Sequence, residues 1–190
     1  MQKENRRVKM TKALLNESFL KFLEKKPISR ITVKEICEDA DVNRSTYYAY
    51  YSDPYDHLHK IEDALIQEQA VYIDAVLKNG EQDDQSFTNV INKLLHYYQE
   101  RKHMLRVLLG KHGDIHLEND ILAFFAERIL LYGSDRRKLP QEQLQDYIYA
   151  ATGSFGLIIY WLMTDCKEKP ERLAAQITEL TSGVRKKDAR

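Results

Sequence analysis

Arg44, Ser45, Thr46, Tyr48, Ala49 and Tyr50 fall within about two turns of a helix and share one kind of chemistry. A guanidinium fork matches guanine, Ser and Thr hydroxyls match several base edges, a methyl group meets thymine, and phenols reach phosphate oxygens. At 100° per residue, Tyr47 and Tyr51 share the opposite side, four apart, where they can pack inward. Ser45 and Ala49 stand away from them, small enough to approach a groove. Arg44 with Tyr48 and Thr46 with Tyr50 flank that pair.

These side chains need a short helix held by another. Thr32 can cap the backbone N–H of Glu35 while the Glu35 carboxylate reaches back, the reciprocal pattern of a helix start. Val33, Ile36, Cys37 and Ala40 then follow at i, i+3, i+4, i+7 as one buried stripe. Asp41 and Val42 make the turn, and Asn43 caps a second helix that begins at Arg44. Two helices so closely joined form a helix-turn-helix unit. A polar hairpin with packed tyrosines would show much of the same pattern. The preceding helix over 12–26, with Leu15, Phe19, Phe22 and Leu23 on one face, supplies the third element of a compact head.

The run Thr11-Lys12-Ala13-Leu14-Leu15 through Phe19-Leu20, then Ile31-Thr32-Val33-Lys34-Glu35-Ile36, Ala40-Asp41-Val42-Asn43-Arg44-Ser45-Thr46-Tyr47-Tyr48 and residues 51–58, resembles the amino-terminal domain of TetR-family transcriptional regulators. It spans roughly a third of the chain, in order over several motifs. Two positions depart from the family pattern. Asp41 stands where a turn glycine is usual, and tolerates a left-handed conformation better than most residues. Pro54 stands where a lysine is frequent, so one phosphate contact is lost, but Asp53 before it is suited to starting a helix.

Charge is unevenly spread. The whole chain balances 29 Lys and Arg against 29 Asp and Glu, yet residues 1–51 hold 11 against 7, leaving 18 against 22 beyond. Attraction for phosphate is therefore at the amino end, where Arg6, Arg7, Lys9 and Lys12 could track a backbone. The two cysteines, Cys37 and Cys166, have no metal or redox spacing and are expected as reduced thiols in cytoplasm. No apolar segment follows the basic start, so no signal peptide is expected. No catalytic residue, cofactor or metal site is expected either: no Gly-rich phosphate loop or G-x-S-x-G elbow occurs, and Gly113-Asp114 separates His112 from His116.

Beyond Tyr55 the pattern is helical throughout, giving an all-α chain of about nine helices, with a head at 1–52 and a helical body at 53–190 to which the resemblance assigns ligand binding and dimerisation. A long helix from Pro54 to Leu77, with Leu58, Ile61, Leu65, Tyr72 and Val76 inward, is expected to stop at Asn79-Gly80. Helices follow over 87–100, 102–109 and 115–132, the last stopping at Gly133-Ser134, and Pro140 and Pro170 start two more. Residues 147–164 carry no charge, but three Tyr, two Thr, a Ser and two Gly argue for burial in a bundle rather than a membrane.

A helix apolar all round has more surface to bury than one neighbour supplies. Gly153, Gly156, Leu157 and Trp161, with Leu173 and Ile177 on the last helix, are the expected interface of a homodimer, and the family resemblance implies pairing through these two helices. Tyr97, Phe124, Thr152, Phe155 and Tyr160 are the expected lining of an effector pocket between the helix after Pro54 and the helix after Pro140. Thr32, Asn43, Arg44, Ser45, Thr46, Tyr48, Ala49 and Tyr50 are the expected contacts to double-stranded DNA. The resemblance implies a ligand-responsive repressor on a palindromic operator. Leu108-Leu109-Gly110-Lys111-His112-Gly113-Asp114 and Gly156-Leu157-Ile158-Ile159-Tyr160-Trp161-Leu162 resemble more faintly the branch of dihydroxyacetone kinase regulators, some of which activate. A helical scaffold that binds protein and not DNA is the other alternative, and the basic amino end argues against it.

Overall fold

The computed structural model describes residues 6–77, 84–113, 115–130 and 140–188. Among them are nine α-helices and no strand: α1 (Arg6–Leu23), α2 (Val33–Ala40), α3 (Arg44–Tyr48), α4 (Pro54–Leu77), α5 (Asp84–Glu100), α6 (Lys102–Leu108), α7 (Ile115–Phe124), α8 (Gln141–Met163) and α9 (Pro170–Asp188). A 3-10 turn at Ile28–Arg30 precedes α2, and a π-helical turn at Phe125–Leu130 follows α7. The all-α expectation holds. The expected stops at Asn79-Gly80 and Gly133-Ser134, and Asp114, lie outside the described residues. Helix α1 begins at Arg6 rather than Lys12, because its first turns are polar and bury nothing for an apolar period to register.

The chain forms two compact units, one holding the described residues up to Leu65 with Val107–Leu117, the other Ile66–Arg106 and the described residues from Glu118 onward. The first unit thus extends past residue 52 into α4, whose Leu58, Ile61 and Leu65 are buried. Its core is Leu15, Phe19 and Leu23 of α1, Ile36 of α2 and Tyr47 of α3, all without exposed surface. Asp39 ties α2 to α1, accepting from Ser18 Oγ at 2.9 Å and pairing with Lys21.

At the centre of this unit lies His57, fully buried on α4. Its ring stacks on Tyr51 at 3.7 Å between centroids and lies 4.6 Å from Phe19. Asn16 Oδ1 accepts from Tyr51 Oη at 3.1 Å and lies 2.8 Å from His57 Nε2, which makes Nε2 the protonated nitrogen of a neutral ring. Nδ1 is buried without a partner.

In the second unit, α9 packs against α5 and α8, and α5 also meets α8. Val90, Ile91, Leu94, Leu95 and Tyr98 form the inner face of α5, and Leu173, Ala174 and Ile177 that of α9. Thr88 donates to Thr178 Oγ1 across them at 2.9 Å. The inward face of α4 differs from expectation after Leu65. It continues through Gln69, Ile73 and Leu77, whereas Tyr72 is exposed and Val76 half-buried. A polar Gln69 in the stripe hid this register. Its Oε1 accepts the buried Tyr98 hydroxyl at 3.0 Å, which offsets part of the cost of its desolvation, while Nε2 is buried without a partner.

Helix α8 is buried along one face only. Tyr147, Ala150, Ala151, Ser154, Phe155, Ile158, Trp161 and Leu162 repeat at helical spacing and are covered. Ile148, Tyr149, Thr152, Gly153, Gly156 and Tyr160 are exposed, Tyr149 to 79%. This corrects part of the expected interface: Trp161, Leu173 and Ile177 belong to the interior of one chain and have no surface to offer a partner. Thr152 and Tyr160 likewise face out rather than into a pocket. An uncharged run conceals which face is which, since Tyr, Thr and Gly serve either side. Among the described residues no helix is long and apolar enough to cross a membrane.

Burial pushes the His57 imidazole down to about 3, whereas the unfolded chain titrates near its ordinary 6.5. The unfolded state therefore binds the proton first, so this contribution is whole above pH 6.5 and lost as pH falls from 6.5 toward 3. Stability should drop by about 2 kcal/mol between about pH 7 and pH 5, before the carboxylates titrate. Urea unfolding of the wild type and His57→Gln across that range checks this. A slope that persists in His57→Gln would assign it elsewhere.

Candidate nucleic-acid interface

The local signals at the hairpin act as their chemistry dictates. Thr32 Oγ1 accepts the Glu35 N–H at 3.3 Å and donates to Glu35 Oε2 at 2.8 Å, while the Thr32 N–H donates to Glu35 Oε2 at 3.1 Å. Lys26 Nζ adds an ion pair at 2.6 Å, and these donors hold the Glu35 carboxyl at about 2, well below its usual range. Helix α2 ends at Asp41 in the left-handed region, φ 52°, so the aspartate makes the turn for which glycine would be the easier residue. Asn43 Oδ1 then accepts from both the N–H and the hydroxyl of Ser45 at 2.9 Å and starts α3.

Helix α3 has only five residues, far too few to persist alone. Tertiary contacts set its position. Tyr47 has no exposed surface, lies edge-on to His57 and packs 5.3 Å from Tyr51. Lys60 of α4 donates to the Tyr50 carbonyl at 2.8 Å, placing a cation at the carboxy-terminal end of the short helix. Asp53 Oδ1 accepts from the N–H groups of Tyr55 and Asp56, at 2.8 and 2.9 Å, so the Asp53-Pro54 start of α4 is capped as its residues suggest.

With Tyr47 and Tyr51 turned inward, the other side of α3 is open. Asn43, Arg44, Ser45, Tyr48 and Ala49 are exposed, and Thr46 and Tyr50 are half-exposed. Thr32 is exposed too, but its hydroxyl is engaged by Glu35. The structure thus brings the expected residues from Arg44 to Tyr50 onto one surface and places Thr32 at the start of the neighbouring helix. Lys12 Nζ lies 5.5 Å from the centre of the Tyr50 ring, which brings the basic end of α1 beside this surface, with Arg6, Arg7 and Lys9 exposed farther along. Asn16, His57 and Lys60, which hold the site, were not singled out in the sequence. The one available signal was the spacing of His57, four residues before Ile61 on the stripe that continues to Leu65.

Of the expected pocket residues, Tyr97 alone lines the groove described on the second unit, which runs between α4 and α5. Phe124 and Phe155 are buried core. His96 bonds Glu171 at 3.0 Å, and no group of three His, Cys, Asp or Glu suited to a metal occurs among the described residues.

A short capped helix presenting donors from a three-helix head, joined to a helical body, defines the class of helix-turn-helix regulators. Residues 85–183 match the family described as "Transcriptional regulator C-terminal region" of TetR proteins. The chain belongs to the TetR family of transcriptional regulators. It is 27% identical over 175 residues to an uncharacterized HTH-type transcriptional regulator, YxbF, of Bacillus subtilis (strain 168), which covers 91% of this chain but only 45% of that protein. The chain therefore spans under half the length of this curated relative. Among solved structures, the fatty acid degradation regulator FadR from Bacillus halodurans superposes with a TM-score of 0.63 at 16% identity, over 96% of this chain and 97% of its own. The dihydroxyacetone kinase operon activator DhaS gives 0.59 at 17%, over 91% and 94%. At such identities these likenesses establish the fold.

Replacing Asn43 by Ala removes the acceptor that starts α3 and should cost about 1 kcal/mol of stability. Urea denaturation at pH 7 measures it. An unchanged midpoint would mean that packing alone sustains this helix.

Proposed function

We propose that the chain is a homodimeric, ligand-responsive repressor rather than an enzyme, with residues 1–52 binding DNA and residues 53–190 serving dimerisation and regulation. The observation that carries this reading is the two-sidedness of α3: Tyr47 and Tyr51 are buried while Arg44, Ser45, Tyr48 and Ala49 project. Arg44 reads guanine, Ser45 and Thr46 meet neighbouring base edges, the Ala49 methyl meets thymine, and Tyr48 and Tyr50 reach phosphate. Asn43 at the start of α3 and Thr32 at the start of α2 add contacts to the DNA, and the Arg6 to Lys12 segment follows the backbone.

Two copies related by a two-fold axis place two such helices in successive major grooves, so the operator is a palindrome. The exposed face of α8 supports pairing there: Gly153, Gly156 and half-buried Leu157 lie with Tyr149 and Tyr160, and Leu180 of α9 is 64% exposed. An effector that binds better when the two heads are misplaced lowers operator affinity by its differential affinity for the two states. Continuity of α4 from Pro54 to Leu77 favours such transmission, since the helix holds His57 and Leu58 of the first unit and Ile73 of the second.

DNA selected from a random pool by the wild type supplies the probe for the first test. On that DNA, Arg44→Ala should lose about 1–3 kcal/mol of specific binding, and Tyr48→Phe should bind more weakly. Lys12→Gln should instead reduce the slope of affinity against salt by about one unit. Fluorescence anisotropy at fixed and varied salt reads both, and wild-type affinity in Arg44→Ala and Tyr48→Phe together would refute the assignment.

The dimer has its own test, because a Cβ at Gly153 or Gly156 meets nothing within 4 Å in the single chain. Gly156→Leu and Tyr160→Glu should keep full helicity yet raise the dimer dissociation constant at least about tenfold, ~1.4 kcal/mol. Sedimentation velocity of the wild type at micromolar concentration showing only monomer would overturn the pairing.

A further inference from the structure

On the second unit, α4 and α5 border a groove of about 560 Å³ lined by Glu68, Val71, Tyr72, Tyr97, Glu100 and Arg101, among others. The Tyr72 and Tyr97 rings stack there, 5.3 Å between centroids and 26° between planes. The Arg101 guanidinium carbon lies 3.9 Å from the centre of the Tyr97 ring. Its nitrogens approach Glu68 at 3.8 Å and Glu100 at 3.4 Å. A flat cation of the chain's own thus already rests on an aromatic face between two carboxylates.

Three features say that this arrangement can take an outside occupant. Both carboxylates are mostly exposed, 63% for Glu68 and 76% for Glu100, so they can turn toward a ligand at little cost. With two carboxylates against one guanidinium, the charged lining carries a net negative charge. Arg101 itself holds its place by contacts that a better-fitting flat cation can replace: a ring face, two carboxylates and a 3.4 Å bond to the Tyr97 carbonyl.

We propose that this groove binds a flat organic cation, of the aromatic amidinium or charged nitrogen-heterocycle class, which displaces Arg101 from the Tyr97 ring and pairs with Glu68 and Glu100. An anionic ligand would meet the opposite field. Neutral aromatics of the same shape gain the stacking but not the charge interaction. The proposal deepens the effector reading above and rests on it only where release of DNA is concerned.

The test uses the full chain without DNA and three probes of one shape: 2-naphthamidine, 2-naphthamide and 2-naphthoate, titrated by calorimetry and by shifts of the tyrosine ring signals. The amidine should bind at least about tenfold more tightly than the amide, and the naphthoate more weakly than either. Glu68→Gln with Glu100→Gln should erase that preference, and both sites are on the surface, so folding is unaffected. Arg101→Gln should tighten amidine binding, because the resident competitor is gone. Equal binding of all three probes, preference for the naphthoate, loss of amidine binding in Arg101→Gln, or no binding up to millimolar concentration would each overturn the proposal. A final arm adds selected DNA to protein saturated with the amidine. Release of DNA supports both readings; retained DNA with intact amidine binding leaves the groove assigned and removes the effector role.

Discussion

The packing of Tyr47 and Tyr51 against His57, with Asn16 joining two of them by hydrogen bonds, is the constraint on which the rest of the site depends. A five-residue helix contributes almost no stability of its own, so its direction is set by what it buries. Burial raises the Tyr47 hydroxyl well above its ordinary range, so it stays neutral. His57 is neutral as well, which lets three rings and an amide fill a space that no charge could occupy cheaply. Because that side of α3 is committed to the interior, Arg44, Ser45 and Ala49 have only one way to point.

The body follows the same logic with different residues. Polar groups at core positions, Gln69 on α4 and Thr178 and Thr181 on α9, are kept by specific partners: Tyr98 for the first, and the carbonyls of Ala174 and Ile177 for the others. The Gln69–Tyr98 bond joins α4 to α5 and the Thr88–Thr178 bond joins α5 to α9, whereas the two threonine–carbonyl bonds lie within α9 and satisfy its buried hydroxyls. At the end of α8 the chain turns through Asp165 and Cys166, both left-handed, while Asp165 accepts from Lys102 and Arg106 at 3.0 Å and Trp161 donates to the Glu168 carbonyl at 2.8 Å. Two strained residues are therefore held by an ion-paired cluster and a buried indole.

Legibility in the sequence tracked the range of the interaction. Caps are written within three or four residues, so Thr32 with Glu35, Asn43 with Ser45 and Asp53 with Asp56 were all readable, as was the buried stripe of α2. The face of α4 failed at Gln69, since only a partner 29 residues away makes that amide a core residue. On α8, uniform absence of charge removed the contrast that separates Trp161 inside from Tyr160 outside. Leu173 and Ile177 read equally well as a partner's contacts, because an apolar stripe does not say whether its own chain or another covers it. The groove was invisible for the same reason: Glu68 lies on α4, Tyr97 on α5 and Arg101 in the turn after it, and each reads singly as surface or core.

The most direct measurement of whether α3 enters DNA places a DNA-cleaving iron chelate on Ala49→Cys, an exposed site, in a chain whose native Cys37 and Cys166 are buried and resist labelling. On selected DNA, cleavage is expected at two symmetric clusters, each in a major groove, separated by about one helical turn or a multiple of it. Retarded DNA with scattered cleavage, or with none, would contradict the account.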